Sequence, residues 1–102
     1  MKIIHLNSKQ KKSLDKIDEN PALGNMKWAD VEALLLALID NIGGDLSHKK
    51  GSAVVVNLPG AKPSVLHMPH GGGSGECDKY TIRAVRKLLR QVGVLDDFYS
   101  IE

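Results

Sequence analysis

The chain has 102 residues, 42% of them hydrophobic and 25% charged, which fits one compact domain and excludes a multidomain enzyme. One cysteine, Cys77, excludes an internal disulfide, and no run approaches the roughly 18 apolar residues of a membrane span. The net charge of +2 hides an asymmetry: residues 48–92 carry eight Lys and Arg against two acids. Such a block favours a polyanionic ligand, with a plain solvated face as the alternative.

From the N-terminus, Met1-Lys2-Ile3-Ile4-His5-Leu6 turns polar before a signal-peptide core develops, so a cytoplasmic protein is expected. Leu14 and Ile17, three apart among charges, predict a short and largely exposed helix stopped at Glu19-Asn20-Pro21. Leu23 to Lys27 reads as a connector. Val31, Leu34, Leu35, Leu38 and Ile42 then form one apolar stripe at helical spacing, opened at Trp28 and stopped by Gly43-Gly44.

After Asp45 the period changes. Leu46 and His48 fit one face of a short strand, Lys49-Lys50-Gly51 a turn, Ala53 to Leu58 a β-branched strand, Pro59-Gly60 a second turn, and Ser64 to Met68 the returning strand. Gly71 to Gly75 reads as a flexible loop. Asp78 is a suitable N-cap for a last helix with Ile82, Val85, Leu89 and Val92 inward and Gly93 as its stop. On the outer side of that helix Arg83, Arg86, Lys87 and Arg90 form a basic stripe. The expected fold is α+β, a three-stranded antiparallel sheet with helices 28–42 and 79–92 on one face. An N-terminal helical extension (1–24) precedes the main domain (25–95), and an acidic tail (96–102) follows it.

The glycine loop lacks the Gly-Lys-Ser/Thr of a phosphate loop and does not open a helix after a strand as a dinucleotide fingerprint does. His67 and His70 flank Met68-Pro69 at the end of the last strand. Two imidazoles can divide the roles of base and acid in cleaving a phosphodiester through its ribose 2′-hydroxyl, a reaction that needs no metal. The cations it needs are available in Lys49, Lys50 and the Arg83 to Arg90 stripe. Packing or surface histidines are the plain alternative. His48, His67, His70 and Cys77 also total four possible zinc ligands, at loose spacing. Trp28, Tyr80, Phe98 and Tyr99 are the only aromatics, and neither long strand carries one, which argues against base stacking on the sheet.

Several segments in this order resemble the HicA family of bacterial toxins. They are Trp28-Ala29-Asp30-Val31-Glu32-Ala33-Leu34-Leu35, the Lys50-Gly51-Ser52 turn, Met68-Pro69-His70, and Ile82 to Gly93, so the likeness spans residues 28–93. Asn7-Ser8-Lys9-Gln10-Lys11-Lys12 is similar to the N-terminal extension of one branch of that family. The resemblance implies a double-stranded-RNA-binding-domain-like α-β-β-β-α fold and a metal-independent, cofactor-free endoribonuclease acting on translated mRNA. It also implies a HicB-type antitoxin covering the active site. No membrane partner is expected, and no DNA binding by the chain itself.

In that family a catalytic His commonly follows the Gly-Ser turn, whereas this sequence has Gly51-Ser52-Ala53. A branch resembling this chain often carries another residue there, such as Arg, and keeps a segment like His67-Met68-Pro69-His70. Three accounts stay open: chemistry on His67 and His70, a degenerate toxin, or an inactivating substitution at Ala53. The sequence-level candidates are therefore His67, His70 and the Ala53 position for catalysis, with Lys49, Lys50, Ser52, Arg83, Arg86, Lys87 and Arg90 for RNA. A non-catalytic double-stranded RNA-binding module is the alternative function, and a partner-binding adaptor a third.

Overall fold

In the computed structural model, residues 2–19, 26–96 and 98–102 are described. The first element is a three-residue strand, β1 (Lys2–Ile4), followed by helix α1 (Ser8–Glu19). Asn7 and Gln10 start this helix reciprocally: Gln10 N–H donates to Asn7 Oδ1 at 2.8 Å and Asn7 N–H to Gln10 Oε1 at 3.0 Å. That exchange satisfies two main-chain donors that a helix start leaves unpaired. Leu14 and Ile17 are buried, so α1 packs on the core more firmly than its charges imply. Its expected stop at Asn20-Pro21, and the connector up to Asn25, lie outside the described residues.

Helix α2 (Trp28–Ile42) buries Trp28, Val31, Leu34, Leu35 and Leu38, the predicted stripe. Side chains buried this completely each contribute roughly 1.5–3 kcal/mol. Gly43 caps it at φ 93°, and Gly44 lies so close to β3 that an added Cβ would sit 2.1 Å from Asn57 O. The meander follows as β2 (Asp45–His48), β3 (Ala53–Asn57) and β4 (Ser64–His67), antiparallel in the order β2-β3-β4. Val54, Val56 and Leu66 point to the helices and are buried.

The glycine segment, expected as a flexible loop, contains a hydrogen-bonded turn. A 3₁₀ turn, Gly72–Ser74, is held by Gly75 N–H to Gly72 O at 3.1 Å. Gly75 O then accepts Trp28 N–H at 2.9 Å, and Met26 O accepts Cys77 N–H at 2.7 Å, so this segment anchors the start of α2. Helix α3 (Lys79–Val92) has the expected Asp78 N-cap, Gly93 stop and buried stripe of Ile82, Val85, Leu89 and Val92.

The chain ends hold the element that local patterning missed. β5 (Tyr99–Ile101) pairs in parallel with β1, Ile4 opposite Ile101, and Leu6 N–H donates to Glu102 O at 2.7 Å. The N-terminal extension and the C-terminal tail thus form a second, two-stranded sheet whose Ile4 is fully buried in the common core. Among the described residues, no helix is long and apolar enough to cross a membrane.

Candidate functional site

The β3–β4 register sets Ala53 opposite His67 and Val55 opposite Val65. Because side chains alternate along a strand, these four stand on the sheet face turned away from the helices. Directly opposed Cβ atoms lie about 5 Å apart, so the Ala53 methyl and the His67 imidazole are immediate neighbours. Ser52 Oγ lies 3.4 Å from His67 Nδ1, a long contact whose donor depends on the imidazole tautomer. His67 is exposed.

The opposite flank of His67 is the start of α3. His67, Asp78, Tyr80, Thr81, Ala84 and Val65 line one groove between β4 and this helix. Asp78 Oδ1 accepts Thr81 N–H at 2.8 Å. That bond chiefly holds the Asp78 carboxyl below the ordinary carboxylate range, and the nearby His67 imidazole adds to the effect. Tyr80 is 68% exposed on the rim, with Lys79 Nζ 5.4 Å from its ring centre. It offers an aromatic surface next to His67 that the aromatic-free strands did not foreshadow.

His70 is exposed in the turn after Pro69, and among the described residues no hydrogen bond joins it to His67. It does not line the His67 groove. Lys49, Lys50 and Ser52 are exposed in the β2–β3 turn, at the same end of the sheet as His67. Arg83, Arg86, Lys87 and Arg90 line a cleft on the outside of α3, where Arg86 Nε is buried without a hydrogen-bond partner among the described residues. α3 runs antiparallel to β4, with Thr81 beside His67 and Lys87 and Gln91 beside Lys62 and Ser64. The basic stripe therefore starts near the imidazole and recedes from it.

The four possible zinc ligands do not converge. His48 pairs with Val54 and so belongs to the helix side of the sheet, with Nε2 2.9 Å from Glu32 Oε2, while His67 occupies the other face. Cys77 is buried, and burial pushes its thiol up to about 11. Among the described residues, no three His, Cys, Asp or Glu side chains gather as a metal site.

What the corner can do chemically follows from its parts. An exposed imidazole can take or give a proton near neutral pH, the cations can neutralise phosphate, and Ala53 can do neither. Asp78 and Tyr80 are the site neighbours that spacing did not single out. The available signal was the Asp78 cap, which starts α3 close behind the end of β4. Comparisons with protein-family models, with curated proteins and with solved structures give no match to this chain.

Proposed function

We propose that this domain binds RNA and that the Ser52, Ala53 and His67 corner is the cleavage site of a toxin-type, metal-independent mRNA endoribonuclease similar to the HicA family. The observation that carries the reading is the Ala53–His67 pair: an exposed imidazole stands opposite the position after the Gly-Ser turn, at the end of the sheet that also holds Lys49 and Lys50. A double-stranded-RNA-binding-domain-like architecture is part of the same proposal, as is a HicB-type antitoxin that covers this corner. A protein acting on translated messages works in the cytoplasm.

The reaction proceeds by internal transfer. A base takes the proton of the ribose 2′-hydroxyl, O2′ attacks phosphorus, and the P–O5′ bond breaks. An acid returns a proton to O5′, leaving a 2′,3′-cyclic phosphate and a 5′-hydroxyl. His67 serves one proton transfer and His70 is the candidate for the other. Lys49 and Lys50 stabilise the phosphorane, and Arg83, Arg86, Lys87 and Arg90, receding along α3, hold the strand. DNA, without a 2′-hydroxyl, is not cleaved.

The Ala53 methyl favours a second reading, a non-catalytic module for double-stranded RNA, because it leaves one transfer without a group on the sheet. A gel of the purified chain with structured and message-like RNA, with and without EDTA, beside Ala53→His and Ala53→Arg separates the two. The nuclease reading expects EDTA-resistant cleavage by the chain or by either variant. The module reading expects binding that weakens steeply with salt and no cleavage by any version. Binding with a salt slope near zero would instead indicate an adaptor without an RNA role.

A further inference from the structure

β4 is an edge strand, and the hydrogen-bond phase of the sheet fixes what its free side presents. Lys49 N–H donates to Ala53 O and Met68 N–H to Ser52 O, both at 2.8 Å. With the observed registers, residues 53, 55 and 57 of β3 turn their main-chain groups to β2, and residues 52, 54 and 56 turn theirs to β4. These meet Leu66 and Ser64 on β4 and Met68 just past its end. The N–H and C=O groups of Val65 and His67 therefore point away from the sheet, and no main-chain bond beyond the regular ladder reaches them among the described residues.

The open stretch is short by construction. Pro63 and Pro69 fall in the same phase as Val65 and His67 and have no N–H to offer, so the edge holds two donors between two stops. An edge limited in this way resists open-ended strand addition yet still accepts a short partner strand. Beside it lies the groove floored by α3, with Val65 and Ala84 lining it throughout. Val65 is 57% exposed, a large fraction for a β-branched strand residue. At the far end Lys62 and Lys87 line the groove with no acidic residue beside them, while Asp78 lines the other end next to His67.

We propose that this groove captures an extended, acidic segment of a partner protein as a fourth strand, its main chain bonded to Val65 and His67, an apolar side chain on Val65 and Ala84, and an acidic side chain between Lys62 and Lys87. A strand edge beside a helix is a recurring way of binding extended peptides, with main-chain bonds supplying affinity and side-chain pockets specificity. Alternating N–H and C=O groups match a second peptide backbone. RNA phosphates supply acceptors only, so along an RNA backbone just the ribose 2′-hydroxyls could meet the outward carbonyls, whereas a peptide offers a donor and an acceptor at every second residue. The inference does not rest on the nuclease reading, since no proton transfer enters it.

The test is an NMR titration of the ¹⁵N-labelled full chain with a synthetic, capped peptide of alternating Glu and Val, and with its Lys-Val counterpart. Expected are shifts and slowed exchange at the Val65 and His67 amides, with the acidic peptide bound at least about tenfold more tightly than the basic one. Lys62→Glu combined with Lys87→Glu reverses that preference. N-methylation of alternate peptide residues tests the pairing without altering the protein: one phase of methylation abolishes binding and the other leaves it. Three results would overturn the proposal. They are no change at Val65 and His67 with millimolar acidic peptide, equal tolerance of both methylation phases, or protection of those amides by an RNA oligonucleotide but not by the peptide.

Discussion

Ala53 and His67 stand opposite each other across the β3–β4 ladder, on the sheet face opposite the buried Val54 and Leu66. One side chain is chemically silent and its neighbour is the exposed imidazole of the corner. Introducing a second imidazole in Ala53→His places two titratable rings about 5 Å apart at their Cβ atoms. With the proposed cleavage site at this corner, added general acid or base catalysis of this kind is expected to raise RNA cleavage by roughly a hundredfold or more, with a bell-shaped pH profile, measured on message-like RNA in EDTA.

Asp78→Ala removes the N-cap bond to Thr81 and is expected to cost about 1 kcal/mol, or roughly 5 °C in Tm, by thermal unfolding. Asp78→Asn keeps a capping acceptor and loses less. Because the folded carboxyl lies below its ordinary value of 3.8, its ionised form stabilises the fold fully at neutral pH. That contribution fades as pH falls below 3.8 toward the lower folded value, so wild type and Asp78→Asn converge in acid.

Cys77 is 2% exposed with its thiol pushed up to about 11 by burial and by the neighbouring Asp78. Both factors suppress the thiolate. At pH 8 iodoacetamide should label it at least about a hundredfold more slowly in the folded chain than in denaturant, as followed by mass spectrometry.

Asn41 ties α2 to the N-terminal strand by acting as a stand-in for a backbone. Its Oδ1 accepts His5 N–H at 2.9 Å and its Nδ2 donates to His5 O at 3.1 Å and to Ala37 O at 2.8 Å. Asn41→Ala is expected to cost roughly 1–2 kcal/mol and to speed amide exchange at Ile4 and Leu6 more than at Val54.

Two glycines at positive φ separate conformational cost from collision. Gly51 has φ 70° and open space where a Cβ would go, so Gly51→Ala should cost about 1 kcal/mol. Gly44 combines φ 107° with a Cβ position 2.1 Å from Asn57 O. Gly44→Ala should cost at least about 3 kcal/mol in denaturant unfolding, because the backbone of α2 or β3 must move.

The helices and the meander were legible because their signals are local. The Val31 to Leu38 stripe, the Asp78 cap, the Gly93 stop and the Pro59-Gly60 turn each act within a few residues. The β1–β5 pair was not legible, because Lys2-Ile3-Ile4 and Tyr99-Ser100-Ile101 are three residues each and find one another only through the folded core. The same limit applies to the site. Alternation along a strand puts His67 and Leu66 on opposite faces, and Leu66 is buried while His67 is exposed. Its neighbours Ser52, Asp78 and Tyr80 depend on register and on how α3 returns along β4. His48 and His67 looked equivalent as ligands until the register put them on opposite faces.

The most direct test of the proposed cleavage site combines His67→Ala with the original chain and with Ala53→His, and reads the ends of RNA products formed in EDTA. Expected are 2′,3′-cyclic phosphate and 5′-hydroxyl ends, blocked by a single 2′-deoxy substitution at the cleaved nucleotide and reduced roughly a hundredfold or more by His67→Ala. Cleavage unchanged by His67→Ala, or no cleavage by any version that still folds, would contradict it.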